Sequence, residues 1–128
     1  MDVAAWAEAY REAWEQRDAD AAAALFTEDS EYRTHPFLEP NRGRGGVHSY
    51  WAEVTSTQAS VRVRMGKPFV EGDRAAVEFW TTMENAGAEV TLTGCLLLRF
   101  DASGLCATLR EYWLFREGIE SPHEGWGD

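Results

Sequence analysis

Apolar side chains at the start of the chain recur in threes and fours. Trp6, Tyr10, Ala13 and Trp14 share one side of a helix whose other side carries Glu8, Glu12 and Glu15, and Asp2 stands where an N-cap carboxylate belongs. Arg17-Asp18 interrupts the stripe. Asp18 or Asp20 then caps a second, short helix, in which an alanine run ending at Leu25-Phe26 offers a flat packing face. Residues 30–35 read as a strand. Pro36, Pro40, Asn41 and the three glycines within 43–46 require a loop, and a third helix opens near Val47, where Val47, Tyr50, Trp51 and Val54 fall at i, i+3, i+4 and i+7.

Beyond the Ser/Thr cluster at 55–57 the period changes to two. Residues 60–71, 74–84, 89–100 and 105–116 alternate apolar and polar positions, with turn chemistry at Gly72-Asp73, 85–88 and 101–104, so the sequence predicts an antiparallel meander. Helices first and one sheet afterwards make an α+β layer fold, with the helices on the concave face of a curved sheet. Residues 1–128 are expected to form one domain, ending in a polar tail over 117–128. In that tail Trp126 between Gly125 and Gly127 suggests a segment that docks its ring, the partner subunit of a dimer being one surface for it.

The alternation also assigns faces. Pairing Phe100 with Leu105 across a four-residue turn sets Leu98 opposite Ala107, Leu96 opposite Leu109, Gly94 opposite Glu111 and Leu92 opposite Trp113. The face that holds Leu92, Leu96, Leu98, Leu109, Trp113 and Phe115 then contains a single carboxylate, Glu111, with Gly94 beside it. Phe79 joins Gly94 from the preceding strand, with Val77, Thr81 and Met83. A missing side chain between a ring and an acid, under a layer of helices, is what a small-ligand site requires. Two other readings stay open. Glu111 can be an acid satisfied by a buried partner, and Gly94 can mark a bulge that curls the sheet, which would turn Arg110, Tyr112 and Leu114 inward.

The opposite face, with Glu78, Trp80, Thr82, Cys95, Leu97, Arg99, Arg110 and Tyr112, is too apolar for water and too polar for a core. A homodimer through this sheet face accounts for the mixture, Arg99 and Arg110 being available to Glu78; its rival is that this face lines the pocket.

Composition narrows the functions. Asp and Glu number 22 against 12 Lys and Arg, for a formal charge of −10, and no basic stripe is present to neutralise phosphates, so neither nucleic acid nor an anionic membrane is an expected partner. No leader or membrane-spanning stretch precedes the first helix, and Cys95 and Cys106 are not set opposite each other, which fits a soluble, cytoplasmic protein with reduced thiols. The three histidines make no HxH or HExxH pattern, so no metal is expected. His35, beside Tyr32 and Phe37, can stand at a pocket rim or bond its own loop; His48 lies on a polar helix side and His123 in the tail. Arg42 to Gly46 lacks the lysine and spacing of a phosphate loop and reads as a turn with solvated arginines. No GxSxG elbow or basic cysteine setting supports a nucleophile.

The element order, with Leu25 to Asp29, His35-Pro36-Phe37, Gly43-Arg44, Tyr50-Trp51 and Leu109 to Trp113, resembles the SnoaL-like branch of the nuclear transport factor 2 superfamily. That resemblance covers nearly the whole chain. It implies a cone-shaped α+β barrel, commonly a homodimer, with an apolar pocket for a small hydrophobic organic molecule and no cofactor. Its enzymatic members include ketosteroid isomerases, polyketide cyclases, epoxide hydrolases and dehydratases, typically with a pocket Asp as general acid/base, often helped by His or Tyr. The cyclase-type Asp after the last-strand Trp is Leu114 here. Glu111 is therefore the candidate acid/base, its pKa raised by the apolar face, with Tyr32 and His35 polarising a substrate carbonyl. Trp51, Phe79 and Trp113 are the expected walls, or Tyr112 and Trp80 if the faces are reversed. Two functions follow: a cofactor-independent isomerase, cyclase or lyase on a carbonyl compound, or a non-catalytic ligand-binding or dimerisation module of the same fold.

Overall fold

A computed structural model describes residues 2–128. Helix α1 (Val3–Glu15) buries Trp6, Tyr10, Ala13 and Trp14, and Asp2 accepts the Ala5 N–H at 3.0 Å. Asp18 caps α2 (Ala19–Ala23) in the same way. β1 (Phe26–Arg33) follows, then a two-residue strand β2 (Asn41–Arg42) and α3 (Gly43–Thr55). The remaining strands are β3 (Gln58–Met65), β4 (Phe69–Glu71), β5 (Arg74–Asn85), β6 (Ala88–Phe100) and β7 (Cys106–Glu117).

These seven strands form one curved, unclosed sheet in the order β2-β1-β7-β6-β5-β3, with β4 added beside β5. The fold is α+β, as the sequence predicts, but the sheet is mixed: β1 runs parallel to β7 and supplies its free edge. The run 60–71 is two strands, because Gly66 and Pro68 interrupt it, and both pieces pair with β5. The first strand starts at Phe26, four residues before the expected start. The glycines at 43–46 also depart from expectation, forming the first turn of α3 in place of a loop. A side chain at Gly43 would meet the Glu28 carbonyl at 2.7 Å, and φ there is +68°, so the helix can start against β1 only with glycine. Arg42 and Arg44 remain solvated, their side chains 65% and 41% exposed, and pair at the surface with Glu31 and Glu28.

Packed between helices and sheet is an aromatic cluster. Trp14 meets Trp51 at 5.8 Å and Phe79 at 5.7 Å between ring centroids, and Tyr10 meets Trp51 edge-on at 5.4 Å. No helix among the described residues is long and apolar enough to cross a membrane.

The tail docks on its own chain. Trp126 is only 5% exposed; its ring packs edge-on against Trp80 at 5.9 Å, with the Arg64 guanidinium 5.1 Å from its centroid. The Gly127 carbonyl accepts the Lys67 N–H at 2.7 Å and the Glu120 carbonyl accepts the Trp80 indole N–H at 2.9 Å. Trp126→Ala is therefore expected to release this segment locally, at a cost of about 2 kcal/mol. Hydrogen exchange checks it: the Lys67 amide should lose protection while β6 amides keep theirs.

Candidate functional site

The placement of Glu111 depends on how β6 meets β7. Five residues, not four, connect the strands, so Phe100 pairs with Cys106, and a bulge then adds one more residue before Arg99 pairs with Thr108. Two single-residue slips sum to two, and a shift of two leaves every side chain on its predicted face. Glu111 thus stays on the helix-covered face. Its cross-strand neighbour is Leu96, however, and Gly94 faces Trp113. Phe79 does pair with Gly94 from β5.

Leu96 and Leu109 are fully buried beside it, and three tyrosines converge on the acid. The Tyr32 hydroxyl, from β1, donates to Glu111 Oε1 at 2.5 Å; the Tyr10 hydroxyl, from α1, lies 3.4 Å from the same oxygen and 3.2 Å from the Tyr32 hydroxyl. Tyr50, from α3, stacks at a tilt on Tyr32 at 5.4 Å. Burial, and then the nearby carboxylate, push the Tyr10, Tyr32 and Tyr50 hydroxyls well above their ordinary pKa, so they remain donors at any working pH. Desolvation raises Glu111 to about 7, against the opposing pull of the two tyrosine hydrogen bonds. Glu111 Oε2 has no protein partner and keeps contact with open space. The carboxyl is desolvated without being sealed.

Removing a donor should move this equilibrium in a known direction. Because the Tyr32 hydrogen bond favours the charged form, Tyr32→Phe is expected to raise the Glu111 pKa above that of the wild type. A carbon-13 NMR titration of the glutamate carboxyls checks this, and an unchanged or lower midpoint would contradict it.

Other candidates are distributed unequally. Trp51 and Phe79 are 2% and 1% exposed and belong to the packed aromatic cluster, the Trp51 indole N–H being buried without a partner. Trp113 continues the Glu111 face toward the end of β7, where it is 42% exposed and donates its indole N–H to the Thr34 carbonyl at 2.8 Å. Phe115, next on that face, is 54% exposed, and the cleft that Glu111 itself lines, about 120 Å³, is bounded by Arg33, Pro36, Arg110 and Tyr112. His35 makes no bond to Glu111 or Tyr32; its Nδ1 accepts the Phe37 N–H at 3.2 Å within its own turn. Pro36 has no N–H to offer, so the next amide of the turn is that of Phe37, and the imidazole accepts it. Trp80 and Tyr112 lie on the other face, Trp80 under the tail and Tyr112 exposed. On that face Arg99 pairs with Asp73, not with Glu78.

Gly94 proves to be a matter of backbone approach. A side chain there would stand 2.1 Å from the Tyr112 carbonyl oxygen and 2.8 Å from the Trp113 Cα, so the gap is filled by β7 itself. Tyr10 and Tyr50, in contrast, were hidden in helix stripes. The available signal is a hydroxyl where phenylalanine would complete an apolar face, since a buried phenol needs a partner.

A model of the SnoaL-like domain matches residues 7–108. The chain belongs to the SnoaL-like domain family. Among solved structures, a hypothetical protein of ketosteroid isomerase-like fold from Catenulispora acidiphila, determined with trimethylamine, is similar to this SnoaL-like protein. It has a TM-score of 0.76 and 22% identity over 84% of this chain and 83% of that one. SalBIII, described as an epoxide hydrolase/cyclase-like enzyme in pyran ring formation in the polyether salinomycin, aligns with a TM-score of 0.75 and 20% identity, over 86% and 88%. The protein RV0760c of Mycobacterium tuberculosis gives 0.73 and 16%, over 88% and 95%. At these identities the likeness is one of fold. Among curated proteins none matches this sequence.

Proposed function

We propose that this SnoaL-like protein takes a small hydrophobic carbonyl compound beside Glu111 and moves a proton on it, as a cofactor-independent isomerase, cyclase or dehydratase. One observation carries the reading: a carboxyl among apolar neighbours, held on one oxygen by two tyrosines and free on the other, which desolvation pushes up to about 7. A group titrating near neutrality exchanges protons with little cost in either direction, and a desolvated site strengthens each bond made to developing charge. The ionised Oε2 abstracts a proton next to the carbonyl. The protonated acid then returns it elsewhere on the same molecule, so the enzyme ends unchanged. Trp113 and Phe115 form the apolar shelf for the substrate body. The SalBIII likeness agrees with ring-forming chemistry on this fold without assigning it here.

A second reading has its own support. Trp51 and Phe79 are closed into the core, and Tyr112, Trp113, Leu114 and Phe115 leave the end of β7 uncovered on both sides, which suits a binding or homodimer module. Deuterium uptake separates the two. With 2-tetralone in D2O, the wild type should catalyse exchange at the carbon next to the carbonyl, the rate rising to a plateau above about pH 7, and Glu111→Gln should lose roughly a hundredfold or more. Binding without exchange would leave the module.

A further inference from the structure

The outer face of the sheet carries a depression that the proton-transfer reading does not use. Two cross-strand rows run side by side over β4, β5, β6 and β7. One is Phe69, Ala76, Leu97 and Arg110; the next is Glu71, Arg74, Arg99 and Thr108. Each row is set by direct pairing, so all eight side chains project to one side. Between Phe69 and Leu97 the small Ala76 leaves the floor low. The cavity measures about 490 Å³, within the range of small-molecule sites.

Its chemistry is divided lengthwise. Phe69, 66% exposed, forms an apolar wall that nothing in the chain covers. Arg74 and Arg99 stand at the polar end, held by Glu71 at 2.6 Å and Asp73 at 3.0 Å. Those contacts order the two guanidiniums while leaving N–H donors of each unused. Arg110, at the far end of the apolar row, makes no hydrogen bond or ion pair among the described residues. In a chain of net charge −10, this cavity is lined by three arginines and one acid. We propose that it is a binding site for a small hydrophobic carboxylate, the flat apolar body lying on Ala76 and Leu97 against Phe69, and the carboxylate reaching Arg110.

Charge selects this occupant. A neutral apolar molecule would leave Arg110 partly desolvated and unpaired, whereas a carboxylate accepts from its guanidinium through two parallel bonds.

The probe pair is 2-naphthoate and its uncharged counterpart 2-naphthamide, followed by amide NMR on the whole chain. Naphthoate is expected to shift the Ala76, Leu97, Thr108 and Arg110 amides, to bind roughly tenfold more tightly than naphthamide, and to weaken with added salt. Arg110→Gln should remove that preference, and Ala76→Leu, which fills the floor, should block both compounds. Equal affinities for the two compounds would overturn the proposal, as would shifts confined to Glu111, Trp113 and Phe115. So would sedimentation showing a dimer that protects these amides and is undisturbed by naphthoate, because the occupant would then be a second copy. Glu111→Gln should leave naphthoate binding unchanged, so failure of the proton-transfer reading and failure of this one are separate results.

Discussion

Glu111→Gln should make the protein more stable near neutral and alkaline pH, not less. In the unfolded chain the carboxyl titrates at its ordinary 4.5, and in the fold at about 7. The folded state therefore holds the proton more tightly, and its stability is complete below pH 4.5. It falls as the pH rises through about 7, where folding requires the enclosed carboxyl to carry its charge. A shift of this size corresponds to about 3 kcal/mol if the site were sealed, and contact of Oε2 with open space reduces that to about 2 kcal/mol. Glutamine keeps an oxygen to accept from Tyr32 and Tyr10 and never ionises. Urea unfolding of both proteins at several pH values checks this. The variant should gain over the wild type between about pH 5 and 8, and the gap should close on acidification. A pH-independent difference would show that Glu111 is not held near neutrality by the fold. A variant that is more stable yet inactive would mark Glu111 as a position where function is kept at the expense of stability.

Gly94→Ala is expected to be the most damaging single methyl in the sheet. Its Cβ would stand 2.1 Å from a main-chain oxygen and 2.8 Å from a main-chain carbon, neither of which can rotate away as a side chain can. Only separation of β6 from β7 relieves the overlap, and these strands share one of the longest ladders in the molecule. The cost should be about 3 kcal/mol or more, at the upper end of overpacking effects. Denaturant unfolding measures it. The same substitution should also disturb the Glu111 titration, because the strand that must move carries the acid between Arg110 and Tyr112. Gly87→Ala, in open space but with φ +84°, gives a comparison in which backbone conformation is strained without a collision.

The periodicity of α1, β5 and β6 was legible because each has one clearly buried face, and Asp2 and Asp18 cap helices as their chemistry requires. The face of Glu111 was legible even though its partner was not. Turn length and bulge each moved the register by one residue, and alternation records only the parity of the sum. The parallel neighbour β1 could not be read, since pairing between distant strands leaves no local mark on either. Near its start, Thr27 to Asp29 are polar enough to pass for a turn, and they lie at the irregularity between its Phe26 and Glu31 pairings with β7. For the site, the acid stood out as the single carboxylate on an apolar face. The tyrosines that hold it come from three different elements, and only the tertiary fold brings them together. His35 shows the converse, a promising residue whose local turn had a prior use for its ring.

The sheet order has a consequence for how this molecule comes into being. β7, the last strand of the fold, lies in its interior, and β1 touches the rest of the sheet only through it. A nascent chain can build the β3-β5-β6 unit early, but its first strand must wait for the last to arrive. Glu111 rides on that last strand, while Tyr10 and Tyr32 wait near the beginning of the chain. The acid and its donors therefore meet only when the two ends of the fold are joined.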